Sequence, residues 1–117
     1  MTSNIEELAV LWAKRLDGDE TISENVENQV VEMNFFQPPN IQWNFILQVM
    51  ALTQSESGLG KIAAGPVEHL LGFHGEEYIS LIEQQAQQSE KFKKMLKLCW
   101  RHRMSDDVWE RLQKARE

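Results

Sequence analysis

The chain has 117 residues, 42% hydrophobic and 26% charged, with a formal net charge of −6, four Trp, five Phe and a single Cys. That balance fits one soluble globular domain over 1–117, long enough for one aromatic-rich core but not for two. Cys99 stands alone, which excludes an internal disulfide or a CxxC zinc site and fits a reducing cytoplasm, and no apolar run approaches the ~20 residues of a membrane span.

Met1-Thr2-Ser3-Asn4 lacks the basic region and apolar run of a signal peptide, so a cytoplasmic location is expected. Ser3 and Glu6 form a capping-box pattern, and Ile5, Leu8, Trp12 and Leu16 follow at helical spacing up to Gly18. Thr21 and Glu24 open a second predicted helix on the stripe Ile22, Val26, Val30 and Met33, closed by Phe35 and Phe36 before Gln37-Pro38-Pro39. Asn40 caps a third helix, 41–53, that is apolar almost all round and therefore predicted to be central.

Ser55-Glu56-Ser57-Gly58-Leu59-Gly60 breaks the pattern, and 59–64 reads as a turn. Pro66 then suits a first helical position, Glu68 its first turn, and Gly75 its end. Tyr78, Ile79, Ile82 and Ala86 mark the next helix. Ser89 caps one whose Phe92, Met95, Leu96, Cys99 and Trp100 are expected to point inward, and Ser105 caps the last, with Val108, Trp109, Leu112 and Ala115 inside. The expected fold is all-α: a compact bundle of six or seven short helices arranged as helical hairpins. It is compatible with the curve of an α-solenoid fragment, although no clean repeat period is visible.

Gly65-Pro66-Val67-Glu68 with Leu70-Leu71, then His74-Gly75, then Phe92, Leu96 and Trp100, then Met104 and Val108-Trp109 form a spaced pattern. It resembles a bacterial family of small all-helical domains of unknown function. The family's usual form is Gly-Ala-Gly-Pro-Leu-Glu-Asp-Leu-Leu, a His-Gly pair, a Phe-x-x-x-Leu-x-x-x-Trp helix and a closing Trp helix. The resemblance spans residues 43–112, with Ala64 before Gly65, Val67 where Leu is usual and His69 where Asp is usual. It implies an all-helical fold and a bacterial origin, and carries over no activity.

Charge is unevenly distributed: residues 1–90 hold 14 acidic and 3 basic side chains, residues 91–117 hold 4 and 9. Mutual attraction of the two parts explains this simply. An acidic face for a basic partner explains it more sharply, through Asp17, Asp19, Glu20, Glu24, Glu27 and Glu32. The segment 91–103 offers Lys93, Lys94, Lys97 and Arg101 to an anion, against the repulsion of a polyanion by the rest of the chain.

Catalytic patterns are sparse. His69 and His74 are five apart, which in a regular helix puts them on different sides, whereas a zinc helix needs two His four apart with Glu between. Packing or capping is expected of them, with no metal and no cofactor, and a site completed by Glu76, Glu77 or His102 is the remaining option. Glu68 could serve as an acid or base beside them, but its place at a helix start accounts for it structurally. Cys99 reads as a buried, inert thiol. Gly58-Leu59-Gly60-Lys61 lacks the phosphate-loop spacing, and no G-x-S-x-G elbow exists.

The leading expectation is a non-catalytic binding protein of inhibitor type, an immunity protein or antitoxin, that docks on another protein such as a basic toxin. A nucleic-acid-associated regulator using 91–103, an adaptor in a larger assembly and an enzyme with a dispersed site at Glu68, His69 and His74 are the alternatives.

Overall fold

A computed structural model describes residues 3–117, with the side chains of Ser3 and Asn4 left out; the expected Ser3 cap lies outside the described residues. The helices are α1 (Ser3–Leu16), α2 (Asn25–Phe36), α3 (Pro39–Leu52), α4 (Glu56–Ile62), α5 (Glu68–Gln88), α6 (Glu90–Leu96) and α7 (Asp106–Ala115), and a π turn (Ala63–Val67) fuses α4 to α5. The described residues contain no strand, so the chain is all-α.

The buried stripes explain the packing. Phe45, Ile46 and Val49 of α3 are fully buried, each worth about 1.5–3 kcal/mol by burial. α3 lies against α1, where Phe45 stacks on Trp12 with ring centroids 5.7 Å apart. The α5 stripe of Leu71, Ile79 and Ile82 faces α7 and α6, and Phe92, Met95, Leu96, Val108 and Leu112 close that side. The π turn touches α2 and α3, joining both halves in one core. A radius of gyration of 13.4 Å is that of a closed domain of this length rather than an open solenoid curve.

Several breaks differ from their sequence expectation. Thr21 does not open α2: its N–H and hydroxyl both bond to the Asp19 carboxylate, and the helix begins four residues later, at Asn25. α3 begins at Pro39 rather than at an Asn40 cap, because proline at the first position needs no donor partner. Ser55–Gly60 is not a break. The Ser55 hydroxyl accepts from Gly58 N–H at 3.0 Å and starts α4.

Pro66 does not begin a helix, but sits inside a continuous one. Its missing N–H and ring would damage a regular α turn. Here the ladder widens instead, and Glu68 N–H reaches the Ala63 carbonyl five residues back. Gly75 does not end that helix either. The helix bends at His74 (φ −136°, ψ 30°) and runs on to Gln88. Gly75 serves packing: a Cβ there would lie 3.0 Å from a Val108 methyl. Trp100 points outward, 78% exposed, because α6 stops at Leu96 and its register does not extend that far. Ser89 and Ser105 cap α6 and α7 as expected, accepting from Phe92 and Val108 N–H.

Candidate functional site

The acidic residues singled out from sequence divide into two groups. Asp17 accepts from the Thr53 hydroxyl at 2.6 Å and from the backbone N–H of Gln54 and Ser55, tying the end of α1 to the α3–α4 loop. Asp19 holds the Thr21 turn, and Glu27 receives Trp12 Nε1 (3.2 Å) and Arg15 Nε (3.0 Å). Glu20, Glu24 and Glu32 are exposed and make no ion pair among the described residues. The basic set is largely occupied: Lys93 pairs with Glu90, Lys94 with Glu56, and Arg101 with Asp106 and the Met104 carbonyl. Lys97 alone of the four is exposed without a carboxylate partner among the described residues.

The end of α2 holds the most unusual surface. Its last turn presents Met33, Asn34, Phe35 and Phe36 in succession, and the extended backbone at Gln37 with Pro38 stops the helix there. Successive residues are rotated about 100°, so the four point differently. Met33 and Asn34 are buried, while Phe35 is 63% and Phe36 81% exposed. On one side, Phe36 borders a groove of about 430 Å³ between α1 and α2, lined by Ile5, Glu7, Leu8, Leu11, Gln29, Glu32, Met33 and Gln37. On the other side, Asn34 and Phe35 border a pocket of about 230 Å³, completed by Gln37, Gln42, His69, Phe73 and His74. The bend at His74 thus brings His69 and His74 to one pocket, where regular geometry would separate them.

Hydrogen bonds fix the state of His69. Gln42, buried in α3, donates its Nε2 to the Gln37 carbonyl at 2.9 Å, which turns Oε1 toward His69 Nδ1 at 3.3 Å. Nδ1 therefore carries the proton, and Nε2 keeps a lone pair. Burial lowers the pKa of His69, helped by the charges of His74 and His102, which keeps the ring neutral. Phe35 packs edge-on to this imidazole at 4.8 Å and Phe73 lies at 4.6 Å. His69 Nε2 and Asn34 Oδ1 are both buried without a partner among the described residues.

Glu68 lies on another side of α5. Burial raises its pKa, against the bond it accepts from Trp100 N–H (2.8 Å) and the charge of His102. It thereby ties α5 to the loop before α7. Cys99 is buried against the Ala63 carbonyl, and burial, with the nearby Glu68, pushes its thiol up to about 12, so no thiolate nucleophile forms at neutral pH. The described residues contain no group of three metal-ligating side chains, and no helix is long and apolar enough to cross a membrane.

A family model described as a family of unknown function, DUF6869, matches residues 8–117. The chain belongs to this family. No curated protein and no solved structure matches it.

Glu68 gives a direct check on the division between structural and chemical roles. Its raised folded pKa means that the folded chain binds this proton more tightly than the unfolded one. Its ionisation therefore costs stability as pH rises from the unfolded value toward the folded one. Glu68→Gln keeps an acceptor for Trp100 N–H and removes that cost. Its melting temperature at pH 7 should equal or exceed that of the parent. Glu68→Ala, which leaves the N–H without its partner, should lose about 1 kcal/mol. A lower melting temperature for the Gln variant would contradict this role.

The aromatic end of α2 was not singled out from sequence, although Phe35-Phe36 directly before Gln37-Pro38-Pro39 was a usable signal. Two adjacent aromatics in the last turn of a helix cannot share one buried face.

Proposed function

We propose that this protein is a non-catalytic binding protein that docks on a basic protein partner, in the manner of an immunity protein or antitoxin. The observation that carries the reading is the exposed pair Phe35 and Phe36, bordered by Glu7 and Glu32 and continued along α2 by Glu24 and Val31. Exposed aromatics at the centre of a carboxylate-rimmed patch are the composition of an interface hot spot: burial supplies affinity, and the rim charges supply association rate. Glu20, Glu24 and Glu32 are the members of the sequence-predicted acidic set with no work inside the chain, so they form the steering charge.

A second reading, a regulator bound to nucleic acid through 91–103, has less support, since Lys93, Lys94 and Arg101 already pair with carboxylates. It predicts binding to short nucleic acids that falls steeply with salt.

The protein immobilised in a lysate of its source organism should retain a stoichiometric basic protein, and should protect cells against a toxin encoded beside it. Phe36→Ala should weaken that capture at least tenfold. Glu32→Lys should slow association and reduce its sensitivity to salt. Recovery of no partner, or equal capture by Phe36→Ala, would contradict the reading.

A further inference from the structure

Two buried acceptor atoms at the pocket between α2 and α5 have no hydrogen-bond partner among the described residues. Asn34 is 94% buried by its 6% exposure, lines the pocket, and leaves Oδ1 without a partner; His69 Nε2 is its counterpart. Each unpaired buried acceptor costs about 1–3 kcal/mol. Two lone pairs cannot satisfy one another, so the site is complementary to a donor.

The surroundings narrow the donor's class. An anion would meet two acceptor atoms and gain nothing from them. The Arg103 guanidinium sits 5.1 Å over the ring of Phe73, which lines the pocket, and this disfavours a cation there. Phe35 and Phe73 pack against the His69 imidazole and give the pocket an aromatic lining that favours a flat apolar body. The volume, about 230 Å³, is small for a drug-sized ligand and suits a single ring.

We propose that this pocket binds a neutral, planar ring bearing an N–H2 group, of the aromatic primary amide class. The amide nitrogen donates one hydrogen to Asn34 Oδ1 and the other to His69 Nε2, and the ring lies among Phe35, Phe73 and His74. Phe35, which is mostly exposed and packs edge-on to the His69 ring, is the side chain that would turn aside to admit the ligand. The site shares Phe35 with the docking face but not the groove beside Phe36, which lies on the other side of α2.

A matched probe series on the parent protein tests this without relying on any variant. Benzamide, methyl benzoate, benzoate and benzamidinium share one ring and differ in donor and charge. Titration followed by NMR of the imidazole nitrogens should show benzamide shifting His69 Nε2, at least tenfold tighter than the other three. His69→Phe and Asn34→Leu should each abolish binding, whereas Phe36→Ala should leave it unchanged. Equal binding of all four probes, or no benzamide binding up to its solubility, would overturn the proposal. So would a crystal grown with benzamide in which Asn34 and His69 share only a water, or in which the Asn34 amide donates to His69 Nε2. Failure of the parent protein to capture any partner, with benzamide binding intact, would count against the docking reading alone.

Discussion

Phe45→Ala should lower the unfolding free energy by about 3–5 kcal/mol, the range for emptying a fully buried aromatic site. Phe45 is 0% exposed and stacks on Trp12, so its removal also forfeits an aromatic pair worth about 0.5–1.5 kcal/mol. Trp12 in turn donates to Glu27, which holds Arg15, so a loosened indole reaches the α1–α2 junction. Domains of this size have about 5–15 kcal/mol in total, so the variant should sit near the edge of folding. Urea unfolding followed by tryptophan fluorescence gives the value, and a loss below about 1 kcal/mol would mean that the α1–α3 contact is not the central one.

Asp17→Ala should cost about 1–3 kcal/mol by a different route. The carboxylate accepts from the fully buried Thr53 hydroxyl and two exposed backbone N–H groups, and its removal leaves the Thr53 hydroxyl without that partner while water can reach the other two. Its pKa has opposing causes: burial raises it, and the bonds from Thr53, Gln54 and Ser55 outweigh that and lower it. With the folded value below the unfolded one, about 3.9, the contribution is complete at neutral pH and fades as pH falls through the folded value. The gap in stability between parent and Asp17→Ala should therefore narrow in acid. A gap that stays constant from pH 7 to pH 3 would exclude the ionised carboxylate as the source.

Features that depend on a distant neighbour could not be read from sequence, and those that depend on local chemistry could be read only in part, since the Ser55 cap and the Asp19–Thr21 turn are both local and were missed. Ser89 and Ser105 cap helices because the requirement is met within three residues. Pro66 misleads because a proline at a first helical position and a proline in a π turn share one local signature, and only the ladder across Ala63 and Glu68 separates them. Gly75 reads as a stop, yet the constraint is Val108 on α7, thirty-odd residues away. Periodicity sends Trp100 inward only if α6 continues, and it does not.

The candidate site was the least legible part. The acidic set was identified by charge, but Asp17, Asp19 and Glu27 are engaged inside the chain, and nothing local distinguishes them from Glu20, Glu24 and Glu32. His69 and His74 share a pocket only because the helix bends at His74, and Asn34 joins them from another helix.

The docking face is tested most directly by amide hydrogen exchange on the protein with its captured partner bound. Protection should concentrate on residues 24–37, across α2 and its flanks, and on the facing turns of α1, with 91–103 unchanged. Protection centred on 91–103, with α2 exchanging as in the free protein, would contradict the account.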